Sequence, residues 1–101
     1  MDELWHQIQQ AAAQEPKTPD QQFLKLMEEV GEASQAYLSS QKASGAAYKQ
    51  LTVANTQEEL VDVLLVTYAL LQKLGTTDDE LTTLMHTKTT KWLNKQTHST
   101  D

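Results

Sequence analysis

Residues 60–71 hold ten apolar or aromatic positions: Leu60, Val61, Val63, Leu64, Leu65, Val66, Tyr68, Ala69, Leu70 and Leu71. On a helix, at about 100° per residue, they cover nearly the whole circumference. A helix of that kind is expected to be surrounded by protein on all sides. Yet Glu59 and Asp62 lie on it, three residues apart and interleaved with Val66, Ala69 and Leu70. Both carboxylates should therefore point toward packed protein, where an uncompensated charge is costly.

The rest of the chain also reads as helix. There are only three glycines and two prolines in 101 residues, and no apolar–polar alternation of the kind a strand needs. The first helix is expected over Asp2–Gln14, with Pro16 and Pro19 bracketing the following loop. Thr18 as N-cap, Pro19 at the first helical position and Gln21 at the capping-box position open the second. Its apolar stripe is Phe23, Leu26, Met27, Val30, Ala33 and Tyr37, fading at Ser39-Ser40. The third helix is expected to begin after Asn55-Thr56, where Asn55 with Glu58 and Thr56 with Glu59 both match a capping box, and to end near Gly75. Thr77 with Glu80 opens the fourth, whose stripe is Leu81, Leu84, Met85 and Trp92. Between the second and third helices, Tyr48, Leu51 and Val53 suggest a packed turn inside a loop. Residues 96–101 should fray. The expected fold is all-α: a small antiparallel four-helix bundle in one domain over residues 1–101, with its core in 2–95. A chain this short buries only a modest core, so completion by dimerisation is expected.

Charge and composition exclude several roles. Fourteen acidic residues face eight lysines and no arginine, a net charge of −6. That balance argues against nucleic acid as a partner, because phosphate contacts need clustered cations. The absence of cysteine excludes disulfides and thiolate zinc sites. No run of 18 apolar residues occurs, so no membrane span is expected. The start, Met1-Asp2-Glu3, lacks a signal-peptide pattern, which makes the cytoplasm the expected location.

The second helix carries a matching acidic pair, Glu29 and Glu32, with Glu28 beside them. Glu29 falls between Ala33 and Ala36 at the edge of the apolar stripe, Glu32 lies further round, and Glu28 further round on the other side. Gly31 costs about 1 kcal/mol of helix propensity relative to alanine and would let a helix or ligand approach closely. If the two helices pack side by side, four carboxylates converge, and they must protonate or take up a cation. An all-oxygen set suits a hard divalent ion, Mg²⁺ first and Mn²⁺ as an alternative. Other readings exist for each pair alone. Glu58 or Glu59 could serve only as a cap, and Glu28 and Glu32 could be a solvated face; neither accounts for Asp62.

Glu28-Glu29-x-x-Glu32, 26 intervening residues and Glu59-x-x-Asp62 together resemble the signature of the MazG-like, all-α nucleoside triphosphate pyrophosphatases. The surrounding Lys25-Leu26-Met27 and Val61-Asp62-Val63-Leu64 resemble it too, and the likeness covers roughly residues 20–95. The resemblance implies Mg²⁺-dependent hydrolysis of a nucleoside triphosphate to the monophosphate and pyrophosphate, as nucleotide-pool housekeeping. It implies a homodimer or a dimer of dimers. It assigns Glu29, Glu32, Glu59 and Asp62 to metal, and Glu28, Glu29 and Glu59 to the catalytic group, Glu28 positioning or activating water. Phosphate-anhydride hydrolysis fits such a set, since it needs charge neutralisation and an in-line water.

The family also uses basic residues of the last helix for phosphates, which points to Lys88 and Lys91, with Lys95 on the same edge. Lysines there also complement the helix dipole. The family pattern commonly ends with asparagine followed by arginine; here Asn94 is present and no arginine follows, so no bidentate phosphate contact is available. Trp5 and Asn94 are candidates for contact with the base, although large aromatics mostly serve packing. His6, His86 and His98 form no metal spacing, and no histidine stands three residues after Glu29 or Glu59, which disfavours a di-iron bundle. Two other readings are a non-catalytic helical module that binds nucleotide or protein, and a phosphoribosyl-ATP pyrophosphatase of similar size. The Glu-Glu-x-x-Glu context and the lack of arginine make the latter less attractive.

Overall fold

The computed structural model describes residues 2–41 and 52–99, which form four helices: α1 (Asp2–Gln14), α2 (Pro19–Ser40), α3 (Val53–Lys73) and α4 (Asp78–Ser99). Among the described residues there is no strand, and no helix is long and apolar enough to cross a membrane. The fold is all-α.

Local chemistry sets most of the boundaries. At the start of α2 the Thr18 hydroxyl accepts from the Gln21 N–H at 3.2 Å, and the Gln21 side chain accepts from the Thr18 N–H at 3.0 Å. The same reciprocal pair joins Thr77 and Glu80 before α4, at 3.0 and 3.1 Å. α3 ends in a Schellman turn. Gly75 adopts φ +88°, its N–H reaches the Gln72 carbonyl, and the Thr76 N–H reaches that of Leu71. A left-handed φ there favours glycine, as expected.

Two expected boundaries are corrected. α3 starts at Val53, not after Asn55-Thr56. Thr52 is its N-cap, accepting from the Asn55 N–H, and the Asn55 side chain accepts in return from the Thr52 N–H at 2.9 Å. Glu58 and Glu59 are therefore interior helical residues that cap nothing. α4 continues through Ser99; of the tail expected to fray, residues 100–101 lie outside the described residues. Of the expected packed turn, Tyr48 and Leu51 lie outside the described residues.

α3 is the element on which α1 and α2 both pack. α2 lies antiparallel to it: Tyr37 and Leu38 share a groove with Thr56, whereas Glu29 meets Glu59 and Asp62 further along. Ala33 and Ala36 are buried, and their small side chains let the two helices approach. α1 packs through Ala12 against Tyr68 and Ala69, with Ile8 and Leu81 joining the cluster. Trp5 stacks obliquely on Tyr68 with ring centroids 4.9 Å apart.

α4 is attached at its first turn. The Tyr68 hydroxyl donates to Asp78 Oδ1 at 2.8 Å, Gln9 Nε2 donates to Asp78 Oδ2 at 2.6 Å, and Gln72 Nε2 donates to the Tyr68 hydroxyl at 2.8 Å. Beyond Leu81 the helix packs along neither α2 nor α3, and residues 82–97 are all exposed.

The expectation that α3 is enclosed on all sides fails within one chain. Leu60, Val61, Leu64 and Leu65 are 52, 51, 68 and 43% exposed. The two helices that pack on α3 leave this face open, which its sequence had marked for cover.

Candidate metal centre

The acidic residues meet where α2 crosses the first half of α3. Glu29, Glu59 and Asp62 each offer a carboxylate oxygen, and these oxygens all lie within 4.8 Å of one another. The spacing of three between Glu59 and Asp62 places both on the α2-facing side of α3. Glu29 comes from the opposite helix, on the line of Ala33 and Ala36 that forms the contact.

Their environments differ. Glu29 is buried, with 5% exposure. Its Oε1 accepts an ion-pair contact from Lys25 Nζ at 2.9 Å, one helical turn back. Its Oε2 is buried and has no hydrogen-bond partner, and the same is true of Glu59 Oε2. Glu59 is partly buried; Asp62 and Glu32 are exposed. Asp62 thus opens toward solvent, a correction to the expectation that it points into packed protein. The uncovered α3 face explains the difference.

Electrostatics mark Glu59 as the strained member. Burial of its carboxyl pushes its pKa above the ordinary carboxylate range; then come the charge of Glu32, a hydrogen bond shared with Glu32, and the charges of Glu29 and Asp62. Lys25 is held above its usual value, first by its hydrogen bond to Glu29 and then by the charges of Glu29, Glu28 and Glu32. One lysine therefore faces a concentration of carboxylates that it cannot balance.

The residues fit a divalent cation. Two buried oxygens without donors are costly in a metal-free protein. Carboxylate oxygens this close together can share one hard ion at about 2.0–2.6 Å from each. The exposed side, at Asp62 and Glu32, leaves room for water and a charged substrate.

Of the sequence-predicted residues, Glu29, Glu59 and Asp62 come together, and Glu32 joins them through Glu59. Glu28 is exposed, and its charge is felt at Lys25. Lys88, Lys91 and Asn94 are not brought to the acids within one chain, because they lie on the free part of α4. Trp5 packs on Tyr68 at the α1–α3 contact and remains 39% exposed. Gly31 faces open space: a Cβ there would meet nothing within 4 Å, so no close approach among the described residues requires glycine.

Sequence reasoning did not single out Lys25. Its position four residues before Glu29 was the available signal, since that spacing puts the two side chains together on a helix. Beside the acids, α2 and α3 form an open apolar groove of about 560 Å³ lined by residues including Val30, Ala33, Tyr37, Leu38, Leu60 and Val63. Compared with protein-family models, curated proteins and solved structures, the chain matches none.

Proposed function

We propose that this chain is a Mg²⁺-dependent nucleoside triphosphate pyrophosphohydrolase, releasing the monophosphate and pyrophosphate in nucleotide-pool housekeeping. The observation that carries this reading is the meeting of Glu29, Glu59 and Asp62 with two buried carboxylate oxygens left without donors. The resemblance of the two acidic motifs to the MazG-like signature supplies the substrate class.

Glu29, Glu59 and Asp62 would hold the ion, and Glu32 stands beside them at the open side. Bound Mg²⁺ would neutralise phosphate charge and make a coordinated water easier to deprotonate. Water adds at the α-phosphorus, the bond to the bridging oxygen breaks, and pyrophosphate leaves. Glu32 is exposed and adjoins Glu59, so it is the carboxylate in position to accept the proton the water loses. Glu28, one turn before Glu32, is the second choice.

Pyrophosphate release is to be measured on a panel of canonical and modified nucleoside triphosphates with Mg²⁺. Glu59→Gln and Asp62→Asn are each expected to lower turnover by at least about 100-fold. Turnover unchanged by both substitutions would overturn the site assignment.

The second reading is a non-catalytic module binding nucleotide or protein. Its support is the lack of arginine and the placement of Lys88 and Lys91 on the free part of α4. Calorimetry with Mg²⁺ and a non-hydrolysable nucleotide separates the two: binding without turnover across the panel favours the module.

A further inference from the structure

The two oxygens of Glu29 are in different states. Oε1 accepts from Lys25 Nζ at 2.9 Å, whereas Oε2 is buried and has no donor. The Glu29 side chain is 6% exposed, so its second oxygen is shut off from water. A carboxylate that bridges two cations divides its oxygens in the same way, one to each. In two-metal sites the ions so bridged stand about 3.5–4 Å apart. At Glu29 one of the two positions is already filled, by an ammonium.

The helix fixes Lys25 in that place. It precedes Glu28, Glu29 and Glu32 on α2, and on a helical wheel the four share one arc of about 100°. Glu28 and Glu32 act on its charge in addition to Glu29. The ammonium is therefore held among carboxylates of its own helix, not merely swung toward one of them.

Charge leads to the same position. Glu29, Glu32, Glu59 and Asp62 carry four negative charges when ionised, and one divalent ion with Lys25 cancels three of them. A second ion would turn the cluster positive. To reach Oε1 it would have to displace the ammonium, which stays tethered one helical turn away and repels it.

We propose that Lys25 stands in the place of a second metal ion: the cluster takes one divalent cation, on the donorless oxygens of Glu29 and Glu59 together with Asp62, and the Lys25 ammonium keeps another off Glu29 Oε1. Lys25 is thus a positioning residue that reserves Oε2 for the ion and sets the number of ions at one. This rests on the metal-binding part of the reading above and not on the hydrolysis.

Mn²⁺ is the probe, added to the full chain in metal-free buffer without nucleotide. Calorimetry and the loss of the paramagnetic resonance signal of free Mn²⁺ both count the bound ions. Wild type is expected to take up about one ion per chain with the spectrum of an isolated ion, and Lys25→Met about two with the broadened spectrum of coupled ions that share a carboxylate. Lys25→Arg keeps the charge and should hold the count at about one. Lys25→Gln removes the charge while keeping a hydrogen-bond donor, and serves if the methionine variant folds poorly. Two coupled ions in wild type, one ion in wild type and in both uncharged variants, or a second ion without coupling would each overturn the proposal and leave the metal centre standing. Failure of wild type and every variant to bind Mn²⁺ would overturn it together with the metal-binding reading.

Discussion

Glu29 and Glu59 face each other from α2 and α3, and each buries a carboxylate oxygen that no donor satisfies. Desolvation and like charge both work against the metal-free protein at this contact. Glu59→Gln is expected to raise the melting temperature of the metal-free protein by removing one of the opposed charges. A divalent cation should stabilise the wild type, by about 2.7 kcal/mol at a hundred times its dissociation constant. Little of that gain should remain in the variant. Thermal denaturation with and without Mg²⁺ measures both effects.

The raised pKa of Glu59 gives a pH dependence of known sign. The folded protein holds a proton on this carboxyl that the unfolded chain has already released, so stability falls as pH rises from the ordinary carboxylate range through the folded value. Glu80 acts in the opposite sense. Hydrogen bonds from the Thr77 backbone and side chain lower its pKa, and the stability it adds is lost as pH falls through that lowered value. The difference in melting temperature between wild type and Glu59→Gln isolates the Glu59 contribution. It should grow with pH across the window just above 4.5, in metal-free buffer.

Lys25 is the counter-charge that the buried Glu29 has in the absence of metal. Lys25→Met should lower the stability of the metal-free protein, because it leaves Glu29 without its partner. The same change should tighten divalent-cation binding by about tenfold, since a competing positive charge is gone. Calorimetric titration with Mn²⁺ reads the affinity, and weaker binding would show that Lys25 orients Glu29 for the ion rather than competing with it.

The polar junction of Tyr68, Asp78, Gln9 and Gln72 ties α1, α3 and α4 together. Tyr68→Phe keeps the ring against Trp5 and removes two hydrogen bonds, at a cost of about 1–3 kcal/mol. Urea denaturation should show this loss. Metal affinity should stay unchanged, because the junction lies further along α3 than Glu59 and Asp62.

How far the sequence disclosed this depended on how local the governing interaction is. The caps at Thr18 and Thr77 and the turn at Gly75 are settled by residues three or four apart, and all three were legible. The start of α3 was not. Asn55 with Glu58 and Thr56 with Glu59 match the capping pattern as well as Thr52 with Asn55 does, and the chain uses the earliest. That choice also removes capping as an explanation for Glu59. The depth of Glu29 was only partly legible. A wheel puts it at the edge of the stripe, but its burial depends on how closely Ala33 and Ala36 let α3 approach. Periodicity likewise marked an apolar stripe on α4 without saying what would cover it.

The junction at Asp78 also acts as a fulcrum. Lys91 stands thirteen residues beyond it on an unsupported helix, about 20 Å along the axis. A tilt of about 10° at Asp78 displaces that position by about 3 Å, comparable to the whole length of a hydrogen bond. Whatever Lys91 reaches, its aim is set by the side chains of Gln9 and Tyr68 that grip the helix at its near end. A change in α1 that touches neither acid nor lysine can therefore steer the far end of the molecule.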